Sequence, residues 1–210
     1  MSTLKQAIEQ RGIVEVVHFT TNEGLVGILA SCALKSRKRL PQEKYLEFVY
    51  SPNCAVRYDV AWLDYVNLSI TRINAYLWDI SSNKWHRNRD IWWCVLAFDP
   101  AILLHDGVLF ATTNNKYDCC KREKGLKGFE ALFAPRVQQF PDKWPQRWSG
   151  LPANRTTCPD AEVLYPGEVE VQHLKRIYVA TQEHLDIVHA QCDTLGAAGI
   201  DVVLAPEAFK

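Results

Sequence analysis

Four stretches of the sequence carry side chains whose types and spacing could do chemistry. His18 ends an apolar segment, and Glu162 stands where a long proline-rich segment gives way to an apolar one. Polar and apolar residues alternate between positions 64 and 70, so a strand there would place Tyr65, Asn67 and Ser69 on one face. The proline-rich segment, residues 135–160, contributes Arg147, Trp148, Asn154 and Arg155.

These residue types suit a binding cleft with a catalytic carboxylate. A glutamate held at the edge of an apolar strand can stabilise a developing positive charge or accept a proton. A tyrosine and two hydrogen-bonding side chains on one strand face can form a ligand-binding wall. Tryptophan and arginine planes stack on unpaired bases, and arginine also pairs with phosphate. Each feature alone fits a structural role equally well: a histidine satisfied within the fold, a solvated strand face, or a surface glutamate.

The familiar catalytic signatures are missing from this sequence. It has no glycine-rich dinucleotide fingerprint after a strand, no P-loop, no HExxH and no GxSxG. The seven cysteines are scattered and form no CxxC pair, so we predict free thiols and no metal site. The 24 basic residues balance the 24 acidic ones, although basic residues cluster at positions 35–39 and 116–127. Such a cluster is either a solvated surface or a phosphate-binding one.

The elements that must position these groups follow from the apolar patterns. Strands are predicted at residues 13–19, 63–70, 91–98, 108–112, 161–165, 175–180 and 199–204. Short helices are predicted at residues 1–11, 23–30, 71–80 and 184–195, and the stretches 35–60, 83–90, 113–128 and 135–160 are polar or irregular. This pattern predicts an α+β fold in one domain spanning residues 1–210. The polar N-terminus lacks a signal peptide, and no apolar run is long enough to span a membrane, so we expect a cytoplasmic protein.

The ordered set of motifs resembles the DarT-type ADP-ribosyltransferases, toxin enzymes of bacterial toxin–antitoxin and phage-defence systems. The resemblance rests on the strand with His18 followed by Gly-Leu-Val-Gly-Ile-Leu, on Asp64-Tyr65-Val66, and on Ala161-Glu162-Val163-Leu164 after a long loop. It covers roughly residues 13–180. It implies a mono-ADP-ribosyltransferase fold, in which a split β-sheet core with flanking helices grips NAD⁺ as the co-substrate.

The resemblance also implies roles for individual residues. Glu162 would be the catalytic carboxylate, and residues 136–160 would form the substrate-recognition loop. The NAD⁺ cleft would be lined by His18, Thr20, Gly27, Tyr65, Asn67 and Ser69, with Tyr65 stacked on nicotinamide. Arg57 would supply the arginine that the family places upstream of its Asp-Tyr-Val strand. Nucleic acid would contact Arg147, Trp148, Asn154 and Arg155, and the basic stretch 121–127 would bind phosphates.

The expected substrate is a base in single-stranded DNA, because a duplex buries the base edges. The strand continues Asn-Leu-Ser-Ile where thymidine-modifying members are rich in aromatic residues, which favours guanosine as the target. A cognate antitoxin is the expected protein partner. Alternatives are the same transfer to RNA, a transfer to protein, and a non-catalytic nucleic-acid-binding module. The last is disfavoured by the zero net charge, since such modules are commonly basic.

Overall fold

The protein combines a large β-sheet with helices that pack on both of its faces. A computed structural model describes residues 3–40, 60–85 and 90–209. The strands are β1 (Val16–Thr21), β2 (Ala33–Lys35), β3 (Tyr65–Ile70), β4 (Trp93–Phe98), β5 (Leu109–Ala111), β6 (Arg122–Lys124), β7 (Glu162–Pro166), β8 (Glu168–Glu170), β9 (Leu174–Val179) and β10 (Asp201–Leu204). The helices are α1 (Leu4–Gln10), α2 (Asn22–Ala30), α3 (Ala75–Ile80), α4 (Gly125–Ala131) and α5 (Gln182–Thr194).

Eight of these strands form one sheet in the order β10-β9-β4-β1-β3-β7-β5-β6. The pair β9–β10 is parallel, and the other neighbours are antiparallel. Strands β2 and β8 form a separate antiparallel pair. One face of β1 and β4 packs against α2 in the main apolar core. The opposite face packs against Trp78 of α3, so the two helices cover opposite sides of the same strands.

The pairing between β1 and β3 covers only two residue pairs, Val16↔Ile70 and Val17↔Ser69. Beyond these pairs, β1 continues beside β4 for its full length of six residues, and β3 continues beside β7 over four residue pairs. The sheet therefore splits between its two central strands, as the predicted fold requires.

Local sequence explains the elements around this split. The continuous apolar run in β4 is buried on both faces, from Cys94 to Phe98, as a central strand must be. The alternation in β3 buries Val66, Leu68 and Ile70 and leaves the residues between them half-buried. Helix α2 begins directly after β1, because the hydroxyl of Thr21 accepts a hydrogen bond from the backbone N–H of Gly24 at 3.1 Å.

Most of the predicted elements are present, with shifted ends. Strand β1 begins at Val16 instead of residue 13, and α3 occupies only the second half of 71–80. The polar stretch 113–128, which has no predicted element, contains β6 and the start of α4. Strand β6 has a charged sequence and forms through backbone pairing with β5, so apolar alternation does not reveal it. Residues 41–59 and 86–89 of the predicted irregular stretches lie outside the described residues.

None of the helices that the structure describes is both long and apolar enough to cross a membrane.

Candidate active site

A cavity of about 260 Å³ opens at the split between β1 and β3. Its wall is built by β1, α2, β2 and the segment that follows it, β3, α3, and the first residues of β4 and β7. Every described residue that the sequence predicts for catalysis or NAD⁺ binding lies in this wall: His18, Thr20, Gly27, Tyr65, Asn67, Ser69 and Glu162. The remaining predicted residue of that set, Arg57, lies outside the described residues.

His18 stands at the point where the two strands separate. Its Nδ1 lies 2.9 Å from the carbonyl oxygen of Asn67. A carbonyl oxygen only accepts hydrogen bonds, so this contact places a hydrogen on Nδ1. The imidazole thus bonds to a backbone group of β3 that the β1 ladder no longer reaches, and it is fixed in the cavity wall.

Glu162 is a buried carboxylate in the wall of the cavity, with 3% of its surface exposed. Oε2 accepts hydrogen bonds from Nδ2 of Asn67 at 2.9 Å and from the backbone N–H of Asn115 at 2.7 Å. Oε1 accepts one from Nδ2 of Asn114 at 3.2 Å. These donors replace water around the carboxylate and fix its direction, which a buried charge requires.

Asn67 therefore connects two residues of the site. Its backbone carbonyl accepts from His18, and its side-chain amide donates to Glu162. Sequence reasoning assigns Asn67 to the ligand but does not reveal this bond. Asn114 and Asn115 are missed altogether. The signal that could have found them is the run Thr-Thr-Asn-Asn at positions 112–115, which follows an apolar strand and is buried throughout.

Two glycines shape the α2 side of the cavity. A methyl group on Gly24 would lie 2.3 Å from Oγ1 of Thr20, so a side chain there would push the helix away from β1. A methyl group on Gly27 would meet nothing within 4 Å, although Gly27 lines the cavity. Larger side chains at position 27 would therefore occupy the space that a ligand needs.

Asn74 supplies a hydrogen-bond donor that the sequence analysis does not identify. Its Oδ1 caps α3 by accepting from the backbone N–H of Leu77 at 2.9 Å, which fixes the orientation of the amide. Its Nδ2 is buried in the cavity wall and has no partner among the described residues. A buried donor without a partner is costly, so a ligand acceptor at this position would be stabilised.

Basic and aromatic side chains complete the wall. Lys35, the last residue of β2, and Arg37, just after it, line the cavity where the sequence shows only a basic cluster. The ring of Tyr65 is half-buried and contacts the ring of Trp62, with centroids 5.4 Å apart. Asp64, which precedes Tyr65, accepts hydrogen bonds from the hydroxyl of Ser36 and from Nε of Arg39. The segment 36–39 is thereby tied to the start of β3.

Residues 136–160 form a long loop that contains no helix or strand and only two isolated bridges, Arg136↔Gln146 and Phe140↔Lys143. The loop packs on the turn that holds Glu162. The hydroxyl of Thr113 donates to the carbonyl of Gln139 at 3.1 Å, and Nε2 of Gln139 donates to the buried carboxylate of Asp160 at 2.5 Å. Its far end is tied to β3, because the hydroxyl of Thr71 donates to the carbonyl of Asn154 at 3.0 Å.

The four residues predicted to contact nucleic acid occupy different environments in this loop. Arg147 donates to the carbonyls of Arg155 and Pro152 at 2.7 and 2.8 Å, so it holds the loop together. Trp148 is 63% exposed. Asn154 and Arg155 are half-buried near the end of β3. Burial and the nearby positive charge of Arg72 lower the pKa of Arg155. Their contacts with nucleic acid stay a prediction.

A family model described as "DarT: ssDNA thymidine ADP-ribosyltransferase, DarT" matches residues 17–210. The chain belongs to the DarT family. The predicted family and the predicted enzyme class, an ADP-ribosyltransferase, are confirmed by this match. The description of the model names thymidine, and the prediction of guanosine as the target base is not tested by it.

Solved DarT structures share the fold of this chain. The Thermus sp. 2.9 DarT in complex with NAD⁺ has a TM-score of 0.65 at 14% identity and covers 94% of this chain and 98% of its own. The same enzyme in complex with ADP-ribosylated ssDNA has a TM-score of 0.63 at 15% identity, with coverage of 95% and 97%. The Thermosipho africanus DarTG in complex with ADP-ribose has a TM-score of 0.60 at 15% identity and covers 93% of this chain and 51% of its own. No curated protein matches the sequence at a significant level.

These neighbours confirm the predicted α+β fold of the DarT type. Across the described ranges 3–40, 60–85 and 90–209, no group of three or more His, Cys, Asp or Glu side chains is arranged to hold a metal ion.

Proposed function

We propose that this DarT-family enzyme transfers ADP-ribose from NAD⁺ to a base of single-stranded DNA and that Glu162 is its catalytic residue. The observation that carries the proposal is the buried carboxylate of Glu162, held by Asn67, Asn114 and Asn115 in the wall of a cavity that His18 and Tyr65 also line. The Thermus sp. 2.9 DarT complexes with NAD⁺ and with ADP-ribosylated ssDNA, which share this fold, support the choice of both substrates.

The cavity has groups that fit NAD⁺. Nδ2 of Asn74 is a buried donor that needs an acceptor, and carboxamide, ribose and phosphate oxygens of the dinucleotide all accept hydrogen bonds. The positive charges of Lys35 and Arg37 suit its phosphates. Tyr65 offers an aromatic face for the nicotinamide ring, and Gly27 leaves the α2 side of the cavity open.

The proposed reaction breaks the bond between the ribose C1′ and the nicotinamide nitrogen, and nicotinamide leaves with the bonding electron pair. Positive charge then develops on C1′. The carboxylate of Glu162 stabilises that charge more strongly than it stabilises the ground state, which is the condition for acceleration. A nitrogen of the target base forms the new bond to C1′, and its proton passes to the same carboxylate.

The asparagine side chains and the His18 contact supply orientation. A neutral base nitrogen is a weak nucleophile, so much of the rate must come from holding C1′, the carboxylate and the base in line. Because Asn67 joins His18 to Glu162, one residue fixes the carboxylate relative to β1. Cavity wall and carboxylate are thereby held at a constant spacing.

The loop 136–160 is the proposed binding surface for the nucleic acid. Trp148 offers an exposed ring on which an unpaired base can stack, and Arg155, close to Arg72 and the end of β3, is the cation that we assign to phosphate. Arg147 acts within the loop by holding the segment that carries Arg155. Since the loop packs on the turn that holds Glu162, a bound strand lies close to the carboxylate.

The biological setting that we propose is a toxin–antitoxin or phage-defence system with a cognate antitoxin. The support is the DarT family itself and the likeness to the Thermosipho africanus DarTG. The experiment for this point is co-expression of the toxin with candidate antitoxin genes from its own locus. Rescue of growth by a neighbouring gene supports the proposal, and growth that is unaffected by expression of the active enzyme contradicts it.

The substrate proposal is tested with ³²P-labelled NAD⁺ and oligonucleotides of one sequence, prepared as single-stranded DNA, duplex DNA and RNA. We expect label on single-stranded DNA, little on the duplex, and release of nicotinamide in proportion. Label on RNA alone would replace DNA with RNA as the substrate, and label only on protein would reject a nucleic-acid substrate. Nucleoside digestion of the labelled strand then identifies the base, for which we predict guanosine.

A further inference from the structure

The turn between β5 and β6 presents two of the three described donors that hold Glu162. Its base is closed by two hydrogen bonds: the backbone N–H of Thr112 donates to the carbonyl of Lys121 at 3.0 Å, and the N–H of Lys121 donates to the hydroxyl of Thr112 at 3.2 Å. Between them stand Asn114 and Asn115, which donate to Glu162. The position of the carboxylate therefore depends on the shape of this turn.

Arg122, the first residue of β6, reaches back across the turn with its whole guanidinium. Nε donates to Oδ1 of Asn115, and Nη2 donates to the backbone carbonyl of the same residue. Nη1 donates to the carbonyl of Cys120 at 3.0 Å. The ring of Trp62 lies over the guanidinium, 5.0 Å from its centre, and Trp62 in turn contacts Tyr65. A planar fork of donors can make this set of bonds, and a lysine cannot.

Asn115 is held from both sides by this arrangement. Arg122 binds its backbone carbonyl and its side-chain oxygen, and its backbone N–H points to Oε2 of Glu162 at 2.7 Å. The other end of its side chain, Nδ2, is buried and has no partner among the described residues. Arg122 therefore fixes the Asn115 side chain in an orientation that leaves Nδ2 of Asn115 without a described acceptor. Such a cost is tolerated where the rest of the structure determines the geometry.

The basic residues next to Arg122 in the sequence differ from it in exposure. Lys121, Lys124 and Lys127 of the basic stretch are exposed, as expected for phosphate-binding side chains, while Arg122 is half-buried beneath Trp62. Charge alone cannot separate these residues, since all four are cations in one short segment. The burial of Arg122 and its contacts within the turn distinguish it from the three lysines.

We infer that Arg122 is a positioning residue for the transfer reaction: it fixes Asn115 so that the N–H of Asn115 aims the carboxylate of Glu162, and it does not bind the phosphates of the nucleic acid. This inference rests on the proposed function for its kinetic consequence. Its structural part, the fixing of Asn115, is independent of which substrate the enzyme uses.

The test compares Arg122→Met and Arg122→Lys with the wild-type enzyme, and Lys5→Met, an exposed lysine on α1, serves as the matched control. We expect Arg122→Met to lower kcat about tenfold to a hundredfold, since small misplacements of a catalytic group have effects of that size. KM for NAD⁺ should change less than threefold. The kcat of Arg122→Lys should lie between those of Arg122→Met and wild type, because lysine keeps the positive charge and loses the planar fork of donors. Lys5→Met should match wild type.

Salt dependence of oligonucleotide binding separates positioning from phosphate contact. Loss of one phosphate contact on a single strand would reduce the slope of log K against log salt by about 0.7. We expect an unchanged slope for Arg122→Met. A reduced slope, or a kcat within twofold of wild type, would overturn the inference.

Amide hydrogen exchange at Asn115 gives a readout that needs no activity. In Arg122→Met, exchange of this amide should be at least about tenfold faster than in wild type, while amides of β4 keep their protection. If Arg122→Met does not fold, the same comparison is made with Arg122→Lys. Unchanged protection of Asn115 would contradict the inference whatever the enzyme transfers. If exchange at Asn115 is faster in Arg122→Met as expected but the wild-type enzyme transfers no ADP-ribose, the inference about Asn115 stands and the proposed function is rejected.

Discussion

Replacing Asn67 by leucine should slow transfer without removing the cavity. The change keeps the number and branching of the side-chain heavy atoms and deletes the donor that lies 2.9 Å from Oε2 of Glu162. The contact between His18 and the backbone carbonyl of residue 67 involves no side-chain atom of Asn67 and should persist. The variant therefore isolates one of the bonds that orient the carboxylate.

The size of the effect follows from the hydrogen bond and its surroundings. A bond to a charged group contributes about 1.5–3 kcal/mol, and we take the lower end because Asn67 is half-buried and water can partly replace it. About 1.4 kcal/mol corresponds to a tenfold change in rate, so kcat should fall about tenfold. Asn114→Leu removes the longer bond, at 3.2 Å to Oε1, and should have the smaller effect, about threefold.

The assay is steady-state transfer at saturating NAD⁺ and oligonucleotide, together with urea unfolding of the single and double variants. Asn67→Leu and Glu162→Gln should be coupled in unfolding free energy by about 1 kcal/mol, since the two side chains share a bond. A kcat within twofold of wild type for Asn67→Leu, or additive unfolding free energies, would refute the view that Asn67 orients the carboxylate.

Three further predictions concern other parts of the site and fold. Gly27→Leu should fold, because the position faces open space, and should lose NAD⁺ binding by isothermal titration, whereas Gly27→Ala should retain most of it; equal affinities for both variants would contradict the assigned cavity. Arg155→Ala should weaken oligonucleotide binding more than NAD⁺ binding in fluorescence titrations, and an equal loss of both would count against a substrate-loop role. Burial lowers the pKa of His184, so its proton binds more readily to the unfolded chain. Its contribution to stability is complete above the unfolded pKa of about 6.5 and is lost as the pH falls below that value, towards the folded pKa. Wild type should therefore lose more unfolding free energy than His184→Gln between pH 7 and 5, and parallel losses would contradict this.

The sequence predicts well those parts of the fold that have a strong apolar pattern. Strand β4 is a continuous apolar run, so its central position in the sheet is predictable. Strand β3 alternates between apolar and polar residues, so its half-buried face is predictable. Helix α2 is predictable from its cap, Thr21, and from its position directly after a strand. Strand β6 is not, because an edge strand forms through backbone bonds that its charged residues, Arg122 to Lys124, do not signal.

The sequence likewise identifies some residues of the candidate site and misses others. His18, Asn67 and Glu162 are found because each stands at a strand position that a pattern or a family motif marks. Asn74 and Asn115 are not found, since their importance depends on contacts between distant segments: a buried amide in the cavity wall and a backbone N–H aimed at residue 162. Sequence spacing carries no information about such contacts.

The basic residues show a second limit of prediction from the sequence. In the sequence, Arg147 and Arg122 resemble other cations that could bind phosphate. In the structure, Arg147 holds the loop segment 152–155, and Arg122 holds the turn behind Glu162. Only their surroundings distinguish a cation that binds the backbone of its own chain from one that faces solvent.

The central claim is that the buried carboxylate of Glu162 carries the transfer, and mass spectrometry of one single-stranded oligonucleotide tests it most directly. Wild type and Glu162→Gln are incubated with NAD⁺ and the oligonucleotide, after circular dichroism has shown that both are folded. Wild type should add a single ADP-ribose to the strand. Glu162→Gln keeps the size of the side chain and should add none, while binding NAD⁺ with similar affinity. Modification by Glu162→Gln at a rate near that of wild type would contradict the account.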